Sequence, residues 1–144
     1  MAKYLEKHLK DVIFFDLQEN PLPMCDGDEC YDLPEVLDFR EKVKNAKGII
    51  MAIPVYNYNV SSGAKNAVEL GGRMLYDKIF GFICAAGGKS SYMSVMSFAN
   101  SLMIDYRCII IPKSVLFETV KSPLLIVGWV IKGLPVTIKP VPLE

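Results

Sequence analysis

The sequence predicts an α/β protein with a doubly wound parallel sheet, because strand-like and helix-like segments alternate along most of the chain. The strongest single observation is segment 48–70, where an apolar run, a polar loop and a helix start follow one another directly. Residues 49–53 are continuously apolar, which is typical of a strand covered on both faces. The polar loop therefore follows a buried strand, and in open α/β sheets ligands bind at that edge.

The remaining elements are predicted from turn residues, capping residues and apolar spacing. Ser61 and Ser62 are candidate caps for the helix that follows the polar loop. From residue 113 onward the alternation stops, and the apolar run 124–131 predicts one further strand before a Pro-rich end. The predicted elements, in chain order, are a helix at 2–9, a strand at 12–17, a loop at 19–32, a helix at 35–45, the strand from Gly48 that Pro54 ends, a helix at 64–75, a strand at 78–85, a helix at 91–105 and a strand at 107–111 that Pro112 closes.

Length, composition and charge favour a cytoplasmic globular protein. With 144 residues, 51% of them hydrophobic, the chain can form one sizeable core. Lys plus Arg and Asp plus Glu number 16 each, so no basic surface argues for a nucleic-acid polymer or an anionic membrane. The charged start has no signal-peptide centre, and residues 124–131 are too few to span a bilayer.

Several catalytic and metal motifs are incomplete. The four cysteines are expected to be free thiols, and the C-x4-C pair Cys25 and Cys30 is too small a set for an iron–sulfur cluster. His8 is the sole histidine, so a catalytic triad and a zinc site lack their parts. A P-loop would need glycine five positions before Gly88, where the chain has Ile83.

Two strand-end loops remain as candidates for chemistry. Gly87 and Gly88 allow a ligand to approach the backbone closely, because glycine has no Cβ and tolerates positive φ. The alternative is that the two glycines only form a tight turn. The loop at residues 56–59 supplies two aromatic rings and two amides. If the two strands are neighbours, the loops lie side by side and suit a planar cofactor with hydrogen-bonding groups.

The polar loop and its helix resemble the P-x-Y-N…G-x-x-K-N-A signature of the NADPH-dependent FMN reductases. The matching residues are Pro54, Val55, Tyr56 and Asn57, then Gly63, and then Lys65, Asn66 and Ala67. Ala86, Gly87 and Gly88 are similar to the second flavin loop of that family. The resemblance implies a flavodoxin-like sheet, bound FMN reduced by NADPH, and a homodimer or homotetramer. It places the cofactor on Pro54, Tyr56, Asn57, Gly87 and Gly88, with Tyr58, Asn59, Lys89, Ser90 and Tyr92 as neighbours.

The chain departs from that family pattern at both ends. The resemblance begins in the opening helix, so the family's first strand and phosphate loop are expected to be missing. We therefore expect an N-terminally truncated flavodoxin-like domain at 1–112 and an atypical apolar tail at 113–144, with residues 124–131 at an edge of the sheet or in the vacated centre. Two alternatives to a reductase remain: a non-catalytic family member with weak or no FMN binding that acts through oligomerisation, and a binding module for another flat ligand.

Overall fold

In the computed structural model, the described residues are 11–88, 91, 93–112, 115–118 and 127–131. They form one seven-stranded sheet and three α-helices. The predicted helix at 2–9, His8 and most of the tail lie outside these residues. The strands are β1 (Val12–Asp16), β2 (Gly48–Tyr56), β3 (Asn59–Val60), β4 (Ile79–Ala86), β5 (Ile109–Ile110), β6 (Val115–Glu118) and β7 (Val127–Ile131), and the helices are α1 (Pro34–Asn45), α2 (Ser62–Gly71) and α3 (Met96–Tyr106).

The sheet is mixed, with the strand order β1-β7-β2-β4-β5. β2 and β4 pair in parallel from Gly48↔Ile79 to Pro54↔Ala85. β5 and then β6 pair in parallel with the other edge of β4, and β3 is a short antiparallel partner of β2. The expected parallel arrangement is therefore present among β2, β4, β5 and β6.

β7 lies between β1 and β2 and is antiparallel to both. This is the central of the two positions considered for residues 124–131. Its antiparallel orientation departs from the expected all-parallel sheet. The reason lies in where β6 ends and where β7 begins. Glu118 of β6 is in register with Ala86, and Val127 is in register with Ala52. Both ends of the intervening connection thus lie at the same edge of the sheet, which requires antiparallel strands.

The predicted capping of α2 is confirmed at Ser61. Its Oγ accepts a hydrogen bond from the backbone N–H of Ala64 at 3.4 Å, which satisfies one of the helix's unpaired donors. At the other end, Gly72 has φ +50° and stops the helix. A short 3-10 turn at Gly72–Leu75 takes the place of the last predicted helical turn.

The core lies between the sheet and the helices. α1 begins with Pro34, and Lys78 Nζ donates to the carbonyl of Lys44 at 2.9 Å near the end of that helix. α3 begins at Met96, five residues later than predicted from Ser91. The largest fully buried side chains are Phe80, Ile53, Leu70, Leu102, Val36 and Val43. No helix in the described part of the chain combines the length and hydropathy needed to cross a bilayer.

Replacing Val130 with proline tests the position of β7. Val130 is in register with Ile13 of β1 and Ile49 of β2, so the strand is paired on both sides. Val130→Pro removes a backbone donor from a central strand and should lower the free energy of unfolding by about 3 kcal/mol or more. Chemical denaturation measures the loss. Val130→Thr keeps the N–H and the β-branched shape and should cost much less; equal stability of the proline variant and the parent chain would contradict this pairing.

Candidate functional site

The two candidate loops leave neighbouring strands at the same edge of the sheet. Pro54 of β2 is in register with Ala85 of β4, and the two strands run in parallel. The hairpin tip after β2 and the Gly87–Gly88 turn after β4 therefore begin side by side. This is the arrangement expected for two adjacent strand ends, and it creates the edge at which open α/β sheets bind ligands.

The first loop is a tight hairpin, and the prediction that Pro54 ends the strand is wrong. β2 continues to Tyr56, because the φ of proline is compatible with an extended chain and the pairing with β7 has already ended at Ala52. Tyr56 pairs with Asn59 of β3, which leaves Asn57 and Tyr58 as a two-residue turn. Their φ angles are +51° and +58°, as a type I′ turn requires.

A long side-chain hydrogen bond links the hairpin to α3. Asn59 Oδ1 accepts from the backbone N–H of Val60 at 2.8 Å and from Ser97 Oγ at 3.4 Å. The Oδ1 atom of Asn59, a residue predicted to contact the cofactor, therefore already accepts hydrogen bonds within the fold. Ser97 was not predicted as a site residue, since its link to the hairpin depends on the packing of α3.

The exposed groups of the hairpin are aromatic rings and an amide. The side chains of Tyr56 and Tyr58 are 60% and 69% exposed. Asn57 is exposed, and its side chain has no hydrogen-bond partner among the described residues. No charged residue occurs in 54–61 or 86–88. This edge therefore offers flat surfaces and neutral hydrogen-bonding groups, which suits an uncharged planar ring.

Gly87 and Gly88 face open space. A Cβ added to either residue would meet no atom within 4 Å. Neither glycine has positive φ, which among the described glycines occurs at Gly27 and Gly72, so the expected use of left-handed backbone is wrong for this turn. The fold itself does not require glycine here, and the missing side chains leave room for another molecule to approach the backbone.

The segment after the glycines is only partly described. Lys89, Ser90 and Tyr92, all predicted neighbours of the cofactor, lie outside the described residues. The backbone N–H of Ser91 donates to the carbonyl of Gly88 at 3.3 Å. Ser94 is buried, and its Oγ has no hydrogen-bond partner among the described residues.

The thiols are poorly placed for chemistry at neutral pH. All four cysteines are free. Burial raises the pKa of Cys84 and of Cys108 to about 11, so both remain protonated and weakly nucleophilic. Burial also raises the pKa of Cys30, while Cys25 Sγ lies 3.3 Å from Tyr31 Oη. Within the described residues, no group of three or more His, Cys, Asp or Glu side chains is placed to hold a metal ion.

Asn66, part of the helix signature, holds a distant loop in place. Its Oδ1 accepts from the backbone N–H of Cys25 and its Nδ2 donates to the carbonyl of Pro23, each at 2.8 Å. The signature thus contains a structural contact between α2 and the acidic loop. Sequence spacing could not reveal this partner, because it lies more than forty residues away.

A comparison with protein families matches this chain to a family model. The model for the family described as NADPH-dependent FMN reductase matches residues 1–121. The match includes both loops of the candidate site and extends over most of the chain.

Replacing Asn66 with alanine should loosen the loop that contains Cys25. The substitution leaves a part-buried N–H and carbonyl without their partner, which we expect to cost about 1–3 kcal/mol of stability. The modification rate of Cys25 by a thiol reagent should rise as well. Asn45→Ala is the matched control, since Asn45 makes one exposed hydrogen bond to Glu41 and should change neither quantity much. An unchanged labelling rate in Asn66→Ala would contradict the assigned role.

Proposed function

The chain belongs to the NADPH-dependent FMN reductase family, and from this premise we propose that it binds FMN between the β2–β3 hairpin and the Gly87–Gly88 turn. The proposed reaction is hydride transfer from NAD(P)H to bound FMN and onward to an acceptor. The observation that carries the proposal is the side-by-side position of these two loops, with open space beside both glycines.

The residues at this edge fit the isoalloxazine ring of FMN. The ring is planar and has nitrogen and oxygen atoms on its rim. Tyr56 offers an exposed aromatic face and Asn57 an amide that has no partner among the described residues, while Gly87 and Gly88 allow a ligand to approach the backbone closely. Pro54 is buried in register with Ala85, so it supports the hairpin from within the sheet.

Because the site carries no charged side chain in residues 54–61, the chain would bind the cofactor and the cofactor would carry out the redox chemistry. When bound, FMN supplies the electron-transfer chemistry. The chain binds and orients the ring, with the Asn57 amide and the backbone N–H groups of the glycine turn as candidates for contacts with its polar rim. No acid or base side chain is needed at the hairpin, and none is present in residues 54–61.

The orientation of β7 favours a second candidate, a family member with weak or no FMN binding that acts through oligomerisation. Val127, at the amino end of β7, lies beside Ala52 near the ligand edge. The carboxyl end of β7, Ile131, lies beside Gly48 at the opposite edge of the sheet. A loop that follows β7 therefore does not start at the ligand edge, where a phosphate loop after a central strand would lie. Oligomerisation is favoured by the exposed apolar side chains of Met96, Met103 and Ile104 on α3.

Titration with FMN and with riboflavin, followed by flavin fluorescence quenching, separates the two candidates. Riboflavin keeps the ring and lacks the phosphate, for which each charge-assisted hydrogen bond contributes about 1.5–3 kcal/mol. A reductase that retains its cofactor should bind FMN at least about tenfold more tightly than riboflavin. Equal dissociation constants would mean that only the ring is held, and no quenching by either flavin would favour the second candidate.

Gly88→Val should prevent flavin binding while leaving the fold intact. A Cβ at Gly88 meets no protein atom within 4 Å and the residue does not have positive φ, so we expect a melting temperature within a few degrees of the parent chain. The branched side chain would occupy the space proposed for the ring, and flavin affinity should fall by more than about tenfold, beyond about 1.4 kcal/mol. Gly88→Ala, the smaller control, should lose less. Full quenching by the valine variant would refute the assignment of this turn.

A further inference from the structure

Tyr58 occupies a backbone conformation that a tyrosine seldom adopts. It is the second residue of the two-residue turn and has φ +58°. Type I′ turns prefer glycine at this position, after asparagine at the first. Asn57 conforms to that preference and Tyr58 does not, because a bulky side chain with positive φ is strained.

The described fold offers Tyr58 no compensating contact. Its ring is 69% exposed, and among the described residues it forms no hydrogen bond or ring contact. Asp77 and Arg107 provide a comparison, since they also have positive φ, +60° and +54°. Their side chains form a two-bond ion pair at 3.0 and 2.9 Å, and the backbone N–H of each residue donates to a carbonyl of α3, so the fold supplies both residues with partners.

Strained residues without a structural partner are found preferentially at ligand sites. We propose that Tyr58 is the stacking surface for the flat nicotinamide ring of the nucleotide that reduces the flavin. This inference rests on the proposed function and assigns Tyr58 to the second ligand. Tyr56 belongs to the β2–β3 ladder, whereas Tyr58 lies at the hairpin tip and is the more exposed of the two rings. The tip is suited to a ligand that binds and leaves in each turnover.

The chemistry of the tip agrees with this assignment. A tyrosine ring stacks on planar heterocycles through dispersion and offset π contacts. The β2–β3 pairing and the contact between Asn59 and Ser97 position the turn that carries the ring. Stacking on a ring carried by an ordered turn requires less backbone ordering when the ligand binds than stacking on a ring in a flexible segment.

Tyr58→Gly separates ligand binding from stability, because glycine is the residue that the turn prefers. We expect its melting temperature to equal or exceed that of the parent chain. The FMN dissociation constant should change by less than about twofold. Affinity for NADP+, a redox-inactive probe measured by calorimetry on the FMN-loaded chain, should fall about fivefold to tenfold, and the KM for NADPH should rise in parallel. Tyr58→Phe keeps the ring and should restore most of the affinity.

Three results would overturn the assignment. NADP+ affinity in Tyr58→Gly equal to that of the parent chain would show that the ring does not contact the reductant. A phenylalanine variant as weak as the glycine variant would implicate the hydroxyl group instead of stacking. A loss of FMN binding equal to the loss of NADP+ binding would place Tyr58 on the flavin. A parent chain that binds neither FMN nor NADP+ would refute the proposed function together with this inference, whereas the first three results leave FMN binding by the parent chain intact.

Discussion

The pairing of β2 on both of its edges is the constraint on which the rest of the structure depends. β4 follows it in parallel to Pro54, and β7 follows it in the opposite direction to Ala52. Every buried backbone donor and acceptor needs a partner, and β7 supplies partners to two strands at once. Without it, β1 and β2 would each present an unpaired edge. The same ladder determines which strand ends meet, and hence where the hairpin and the glycine turn lie.

Among the described residues other than glycine, positive φ occurs at Asp11, at the Asn57–Tyr58 turn, and at Asp77 and Arg107. At the amino end of β4 and beside β5, Asp77 and Arg107 form an ion pair with each other, which lowers the pKa of the Asp77 carboxyl. The Arg107 guanidinium also lies 4.9 Å from the centre of the Tyr76 ring. At the opposite edge, Asn57 and Tyr58 have no such partner among the described residues. For Asp77 and Arg107 the side chains are paired within the fold, and for Asn57 and Tyr58 the positive φ angles belong to the two-residue turn of the β2–β3 hairpin.

The candidate site relies on shape and neutral polarity. Its described loops contain aromatic rings, an amide and two glycines, and burial in the sheet raises the pKa of the Cys84 thiol to about 11. Such a surface can orient a planar cofactor that brings its own redox chemistry. It is poorly suited to reactions that require a nucleophile or a general base from the protein. The family membership of the chain and the chemistry of the edge are therefore consistent.

The sequence alone determined the elements whose signals are local: the buried strand at β2, the Ser61 cap of α2, and the order of the strands and helices from β1 to β5 apart from β3. It also predicted the two loops as candidates for ligand binding, because the residue types that contact flat ligands can be read from the sequence. The orientation of β7 was decided only by tertiary structure, since it depends on strand pairing across the chain. Tertiary structure also decided the hairpin, because its turn has Tyr58 where the usual Asn-Gly turn sequence has glycine. It likewise decided the contact of Asn66 with Cys25. A local pattern reports the propensity of a segment, whereas partners far apart in sequence are selected by the packing of the whole chain.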